Sequence, residues 1–222
     1  KMFIEAKQIE GCSARTLQYY QVTIEHLLKN IDTVIRKITT DEIRTYLAEY
    51  QQRNNCSKVT VDNVRRNISS FFSWLEEEDY ILKSPMRRIH KIKTKQPVKE
   101  IISDEMIERL RDNCRCSRDL AMIDLLYSTG IRVGELVGLN ISDIDFEERE
   151  CVVYGKGDKE RRVYFDAKAK LHLQNYINSR TDTNPALFVT LDSPYERLKI
   201  SGVEIRVREL GRKLNIEKIH PH

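Results

Sequence analysis

The sequence has no long apolar run and little of the glycine and proline that mark fibrous or disordered chains. No segment approaches the ~20 consecutive apolar residues that span a bilayer. Its 222 residues include 8 glycines and 5 prolines, while 40% are hydrophobic and 32% are charged. No basic-then-apolar leader opens the chain, so nothing predicts secretion. These absences favour one or two globular domains in the cytoplasm, with ample apolar material for a core.

Signatures of common enzyme and metal sites are absent as well. The sequence contains no glycine-rich phosphate loop of the Walker or dinucleotide type, and neither G-x-S-x-G nor H-E-x-x-H. The five cysteines are odd in number and scattered, so we expect reduced thiols. Three acidic residues alternate at Asp143, Asp145 and Glu147. They lack the glycine of a calcium loop, so they predict a solvated strand or turn. We expect neither a metal nor a cofactor.

Positive charge is concentrated in the first part of the chain and at a junction. Residues 1–98 hold 17 Lys and Arg against 12 Asp and Glu, whereas the remainder holds 21 against 22. Residues 81–99 contain no acid but several basic residues: Lys83, Arg87, Arg88, Lys91, Lys93, Lys95 and Lys99. With Pro85 and Pro97 near its ends, this stretch predicts an exposed, extended linker. It is either a solvated tether or a strap that lies on a polyanion.

The first part of the chain is helical by its hydrophobic periodicity. Thr39 to Glu42 matches a capping box, and Ser57 can cap the long helix that follows. We predict a bundle of about four helices over 1–84, a basic linker over 85–100 and a second domain over 101–222.

Three basic residues lie off the apolar stripe of that long helix. Lys58, Arg65 and Arg66 form either a solvated face or a face that reads a groove of nucleic acid. Charge and spacing alone leave both interpretations open.

The sequence of the second domain predicts a mixture of helices and a small sheet. Helices are expected from Ser103 and Ser117, the latter ending at Gly130, and over 171–177 and 203–214. A β-hairpin is expected around the glycine-rich turn at 155–160, and a further strand at 186–190. The fold class is therefore mostly α with a small β-hairpin or sheet, α+β overall.

Two basic residues in this domain are candidates for chemistry. Arg132 follows a helix end among apolar neighbours, where its planar fork either faces a phosphate or pairs with Glu135 one turn on. Lys156 stands between Gly155 and Gly157, which permit a tight turn. It is either an ordinary turn lysine or a proton donor that reaches into a groove.

The chain closes on His220-Pro221-His222. A histidine can serve as a general acid or base near neutral pH. A tag remnant or a metal-binding pair is the alternative.

Three segments together resemble the tyrosine recombinase, or phage integrase, family. Ser128–Leu136 is similar to the family's first-arginine box, and Gly155–Arg161 to its catalytic-lysine hairpin. Pro221-His222 is similar to the start of its H-x-x-R box. The bundle and the basic linker also fit the family's core-binding domain and inter-domain strap. All three segments stand in the family's order and resemble Xer-like recombinases and mobile-element integrases.

The resemblance implies a helical core-binding domain, a mixed α/β catalytic domain and strand exchange on double-stranded DNA. The reaction proceeds through a 3′-phosphotyrosyl link without metal or ATP. Arg132 would neutralise charge on the non-bridging phosphate oxygens, and Lys156 would protonate the leaving 5′ oxygen. His222 would hold a phosphate oxygen or move the nucleophile's proton, and Glu135 would orient Arg132. A complete protein would form a homotetramer on DNA, and the sequence as given would be a monomer.

One departure from the family's pattern shapes the hypotheses. The family's second arginine and nucleophilic tyrosine would follow His222, whereas the ten tyrosines end at Tyr195. We therefore expect a C-terminally incomplete catalytic domain that does not cleave DNA by itself. Two alternatives stay open: a non-catalytic DNA-binding module derived from an integrase, and a helical interaction protein. A bacterial recombinase would act in the cytoplasm, at the nucleoid.

Overall fold

The computed structural model describes residues 1–94, 102–155, 160–216 and 219–221. The chain falls into two compact units, Lys1–Val98 and Lys99–His222. Within the described ranges, no helix combines the length and the apolar character needed to cross a membrane. All five cysteines are free thiols, as their scattered spacing predicts.

The first unit is a helical bundle, as its periodicity predicts. Its helices are α1 (Met2–Ile9), α2 (Ala14–Asn30), α3 (Thr40–Arg53) and α4 (Lys58–Glu77). The capping box at the start of α3 is present, with the Thr39 hydroxyl accepting from the N–H of Glu42 and the Glu42 carboxylate accepting from that of Thr39. Ser57 caps α4 with its hydroxyl, which accepts from the N–H of Thr60. The completely buried centre of the bundle consists of Leu27, Ile43, Ile68 and Phe72.

Residues 85–94, called the strap below, are packed onto this bundle rather than fully exposed and extended as expected. Pro85–Arg88 forms a 3-10 helix whose Met86 is buried in the core. Ile92 packs against the same core, while Lys91 and Lys93 on either side of it are exposed. The apolar side chains between the basic ones explain the difference, because their burial offsets the entropy lost in ordering the segment.

Asp62 on α4 attaches the strap to the bundle. Its carboxylate is 8% exposed and accepts from Arg65 Nε at 2.8 Å and from the backbone N–H of Ile92 at 3.0 Å. Burial raises the pKa of Asp62, but the bonds from Arg65 and Ile92 and the charges of Arg65 and Arg66 outweigh it, so the pKa is lowered. An ionised carboxylate therefore connects α4 to the strap.

The second unit confirms the expected combination of helices with a small sheet. Its elements are α5 (Asp104–Asp112), α6 (Ser117–Thr129), α7 (Val133–Gly138), β1 (Ile144–Asp145), β2 (Glu150–Tyr154), β3 (Glu160–Tyr164), α8 (Ala167–Asn178) and α9 (Ile200–Lys213). The strands pair antiparallel in the order β1-β2-β3. The strand expected at 186–190 is reduced to isolated bridges, one from Ala186 to Asn140 and one from Val189 to Arg197.

A sharp turn between α6 and α7 determines where Arg132 lies. Gly130 ends α6 at φ +62°, in the left-handed region that glycine adopts without strain. Ile131 and Val133 are both buried in the core of the unit. The backbone at Arg132 is therefore held on both sides, at the N-cap position of α7.

Asp62→Ala should lower the free energy of unfolding by about 3 kcal/mol at pH 7, because it leaves Arg65 covered without its partner. The matched control is Asp41→Ala. Asp41 pairs with Arg44 at the same spacing but on the surface, so this change should cost under about 1 kcal/mol.

The effect of Asp62→Ala should also depend on pH. The pKa of Asp62 is lowered on folding. Its contribution to the free energy of unfolding is therefore present above the unfolded pKa and is lost as pH falls through the folded pKa. Urea unfolding across this range measures both effects. Equal losses for the Asp62 and Asp41 variants would contradict this account.

Candidate active site

Arg132 presents its guanidinium to solvent from a rigid turn. Its side chain is 69% exposed although its two neighbours in the chain are buried. Arg132 Nη1 donates to Glu135 Oε1 at 3.1 Å, so the pairing with Glu135 considered above is present. Among the described residues this is the one bond of the guanidinium, which leaves most of its donors available for an anion.

Glu135 gathers two arginines around one buried carboxylate. Its side chain is 4% exposed, and Oε2 accepts from the backbone N–H of Arg132 at 2.8 Å. The same oxygen accepts from Arg161 Nη2 at 2.5 Å. Glu135 thus both starts α7 and orients guanidinium groups that come from two distant segments of the chain.

The cluster carries a net positive charge. Burial raises the pKa of Glu135, but hydrogen bonds from the Arg132 backbone, Arg161 and the Arg132 side chain outweigh it and lower the pKa. One carboxylate therefore faces two guanidinium groups at neutral pH. The excess positive charge favours an anionic ligand beside Arg132 and Arg161.

These two arginines line a cavity of about 760 Å³ together with the end of the chain. His220 and Pro221 stand on its wall, as does Gly130. Apolar side chains from α5, α6, α9 and the last segment complete it, among them Ile107, Leu126, Leu210 and Ile219. The first-arginine segment and the segment next to His222, which are far apart in sequence, thus border one cavity.

Several predicted residues lie outside the described part of the chain: Lys95, Lys156, Gly157 and His222. The elements that lead to them are described. β2 ends at Tyr154, Gly155 follows it, and β3 begins at Glu160. The hairpin that should carry Lys156 therefore has the predicted strands on both sides of its turn.

Arg197 holds the other end of α7. Its Nη1 donates to the carbonyl oxygens of Val137, Gly138 and Leu139 at 2.9, 3.1 and 2.9 Å. These groups have no partner within a helix that ends there, and a cation beside them is also favoured by the helix dipole. Both ends of the short helix that follows Arg132 are thus bound by charged side chains.

The basic residues predicted in the first unit differ in their availability. Lys58 and Arg66 are exposed on α4, and Lys91 and Lys93 are exposed on the strap. Arg65 is 11% exposed and paired with Asp62. Its guanidinium is bonded to the carboxylate that also accepts from the strap, and a contact of Arg65 with nucleic acid stays a prediction.

The acidic residues after α7 serve the local turns. Asp143 Oδ2 accepts from the N–H of Asn140 at 2.7 Å, and Asp145 Oδ1 accepts from those of Glu147 and Glu148 at 2.9 and 3.0 Å. No group of three or more potential metal-binding side chains occurs among the described residues.

Sequence reasoning missed Arg161 as a member of the Glu135 cluster. Arg161 lies two residues before Val163 in β3, so the two side chains share one face of the sheet. The alternation of side chains along the predicted strand could have revealed this. On α9, Arg206 pairs with the buried carboxylate of Asp119, whereas Arg208 and Arg212 are exposed.

This fold recurs in proteins of known class. The phage integrase family model matches residues 98–222, and the model of the phage integrase N-terminal SAM-like domain matches residues 1–82. In structure, a lambda integrase dimer bound to a COC′ core site matches with a TM-score of 0.76 at 18% identity, covering 99% of this chain and 77% of that one. A XerA recombinase matches with a TM-score of 0.51 at 28% identity, covering 99% and 78%.

Relatives in sequence agree with this class. Tyrosine recombinase XerC of Thermodesulfovibrio yellowstonii is 31% identical over 226 residues, covering 96% of this chain and 75% of the relative. XerC of Chromobacterium violaceum is 30% identical over 235 residues, covering 100% and 76%. The chain belongs to the phage integrase family.

Glu135→Gln should lower the free energy of unfolding of the second unit by about 2 kcal/mol, because it removes the charge that two arginines share. Glu209→Gln is the control, since Glu209 pairs with Arg206 at the surface and should contribute less than about 1 kcal/mol. Calorimetric melting at neutral pH measures both. A Glu135 variant as stable as the control would show that the carboxylate does not hold the cluster together.

Proposed function

We propose that the protein is a site-specific DNA recombinase that breaks and rejoins double-stranded DNA through a covalent 3′-phosphotyrosyl intermediate. The observation that carries the proposal is the cavity bordered by Arg132, Arg161 and the His220-Pro221 segment. A phosphodiester in its mouth would meet a preorganised positive charge. Membership of the phage integrase family supports the same function.

Each predicted residue has a role in one transfer step. The tyrosine oxygen forms a bond to the scissile phosphorus, and the bond from phosphorus to the 5′ oxygen breaks. Arg132 stabilises the charge on the non-bridging oxygens. Lys156 gives its proton to the departing 5′ oxygen, and His222 holds a phosphate oxygen or moves the tyrosine proton. Gly155 and Gly157 allow Lys156 its tight turn.

The covalent intermediate conserves the energy of the phosphodiester. A 5′ hydroxyl of another strand attacks the phosphotyrosine and restores both the DNA backbone and the tyrosine. The proposed reaction therefore consumes no ATP and uses only side chains as catalysts.

The proposed partner is double-stranded DNA containing a specific recombination site. Exposed Lys58, Arg66, Lys91 and Lys93 supply sequence-independent phosphate contacts from the first unit. The compared lambda integrases are a dimer bound to a core site and a tetramer bound to a Holliday junction. We propose by analogy that the complete protein forms a homotetramer on DNA, in the bacterial cytoplasm at the nucleoid.

The decisive test incubates the complete gene product with a nicked suicide substrate carrying its cognate site. A covalent protein–DNA adduct at a 3′ phosphate is expected. Salt-dependent binding without any adduct would favour a non-catalytic DNA-binding module derived from an integrase. Absence of both would favour a helical interaction protein.

Arg132→Lys should reduce the rate of adduct formation by about 10²-fold or more and leave DNA affinity nearly unchanged. The reason is that a point charge cannot replace a bidentate fork at the phosphate. Gel-shift and adduct assays on the same duplex separate the two effects. Full cleavage by this variant would refute the role given to Arg132.

Neutralising Lys91, Lys93 and Lys95 together should flatten the salt dependence of DNA affinity by roughly three phosphate contacts, about 0.9 in log–log slope for each. The control neutralises Lys7 and Lys168, whose amines already pair with Glu10 and Glu108, and should leave the slope unchanged. An unchanged slope in the triple variant would show that these lysines do not touch DNA.

A further inference from the structure

Arg161 reaches the cavity of Arg132 from another segment of the chain. It is the second residue of β3, opposite Val153 of β2, and it shares one face of the sheet with Val163. Both valines are buried. The side chain of Arg161 is 40% exposed and lines the cavity together with Arg132 and Pro221. The register of the sheet thus brings a second guanidinium to the cavity, one to which the resemblance to the family gives no role.

Glu135 holds the two guanidinium groups at the two ends of its carboxylate. Arg132 Nη1 donates to Oε1 at 3.1 Å, whereas Arg161 Nη2 donates to Oε2 at 2.5 Å. The fork of a guanidinium matches the oxygen geometry of a carboxylate and of a phosphate equally well. Two guanidinium groups that flank one such anion are therefore suitably spaced to flank a second anion of similar width, with each group bound to both.

The arginines of this cluster are accessible and its carboxylate is not. Glu135 is 4% exposed, whereas Arg132 is 69% exposed. Among the described residues, each guanidinium has one side-chain acceptor, the Glu135 carboxylate, although it carries five N–H donors. A phosphate on the accessible side would complete an alternation of charge, because a guanidinium would separate the two anions on either side.

The neighbouring arginine has a different environment. Arg162 projects from the opposite face of β3 and pairs with Glu150 of β2 at 2.6 Å, within the hairpin itself. It does not occur among the described residues that line the cavity. Two adjacent arginines of one strand thus each make an ion pair, and only Arg161 is placed to bind an anion beside Arg132.

We propose that Arg161 is a further catalytic residue, which neutralises the non-bridging oxygen of the scissile phosphate that Arg132 does not bind. The inference rests on the proposed recombinase function. As the tyrosine oxygen bonds to phosphorus and the bond to the 5′ oxygen breaks, negative charge is carried by both non-bridging oxygens. One guanidinium fixed beside each of them stabilises this charge without reorganisation.

The test uses suicide substrates in which a methyl group replaces one non-bridging oxygen of the scissile phosphate. The two stereoisomers lack charge at different oxygens, so each dispenses with the guanidinium that faces the replaced oxygen. With the complete protein, Arg161→Met should slow adduct formation by about 10²-fold on the ordinary phosphate. On one isomer its rate should come within about threefold of that of the unaltered protein, while on the other the loss persists.

Arg132→Met should show the opposite preference between the isomers, which separates a direct contact of Arg161 from an effect through Arg132. Recovery of both variants on the same isomer would mean that Arg161 only holds the pair of Glu135 and Arg132, and it would overturn the inference. Loss of Arg161→Met on both isomers, or no loss on the ordinary phosphate, would overturn it as well.

Arg162→Met is the matched control and should cleave all three substrates like the unaltered protein. If Arg161→Met melts at a lower temperature than this control, Arg161→Gln, which keeps an amide donor for Glu135, repeats the comparison with the same criteria. Failure of the unaltered protein on the ordinary phosphate would instead refute the proposed function.

Discussion

The second unit depends on one buried carboxylate that is shared by two arginines. Glu135 is nearly inaccessible, yet it stays ionised because the charges and donors around it outweigh the cost of burial. Two guanidinium groups on one carboxylate leave an excess of positive charge at the edge of an apolar cavity. Such an excess favours an anion, and under the proposed function that anion would be the scissile phosphate.

The first unit also contains a buried, ionised carboxylate, and there it attaches the strap to the bundle. Asp62 is also buried and ionised, and its donors are Arg65 and the backbone of the strap. The result is that Lys91 and Lys93 are exposed on an ordered segment instead of a free tether. If these lysines contact phosphates as proposed, an already ordered segment reduces the entropy that each contact costs.

Much of the architecture follows from local sequence rules. Ser57, Thr39 and Gly130 begin or end helices where their capping chemistry predicts, and the hairpin strands lie on both sides of the glycine-rich turn. The packing of the strap is harder to predict from the sequence, because its few apolar residues are scattered among many basic ones. Their burial depends on a surface formed by α3 and α4, which no local pattern describes.

Local sequence patterns also fail to distinguish neighbouring basic residues in and near the candidate site. Arg65 and Arg66 are adjacent and equally basic, yet one is covered by its ion pair and the other is exposed. Arg161 and Arg162 are likewise indistinguishable until the register of β3 places them on opposite faces of the sheet. Spacing identified Arg132 and Glu135 as partners one turn apart, but the third member of the cluster comes from a strand 26 residues away.

The central claim is that groups far apart in sequence converge on one phosphate. A structure of the complete protein on its cognate site, with vanadate in place of the scissile phosphorus, tests it most directly. The account predicts the guanidinium of Arg132, the amine of Lys156 and the imidazole of His222 within about 3 Å of oxygens on that one centre. Side chains bound to different phosphates, or directed away from the vanadate, would contradict it.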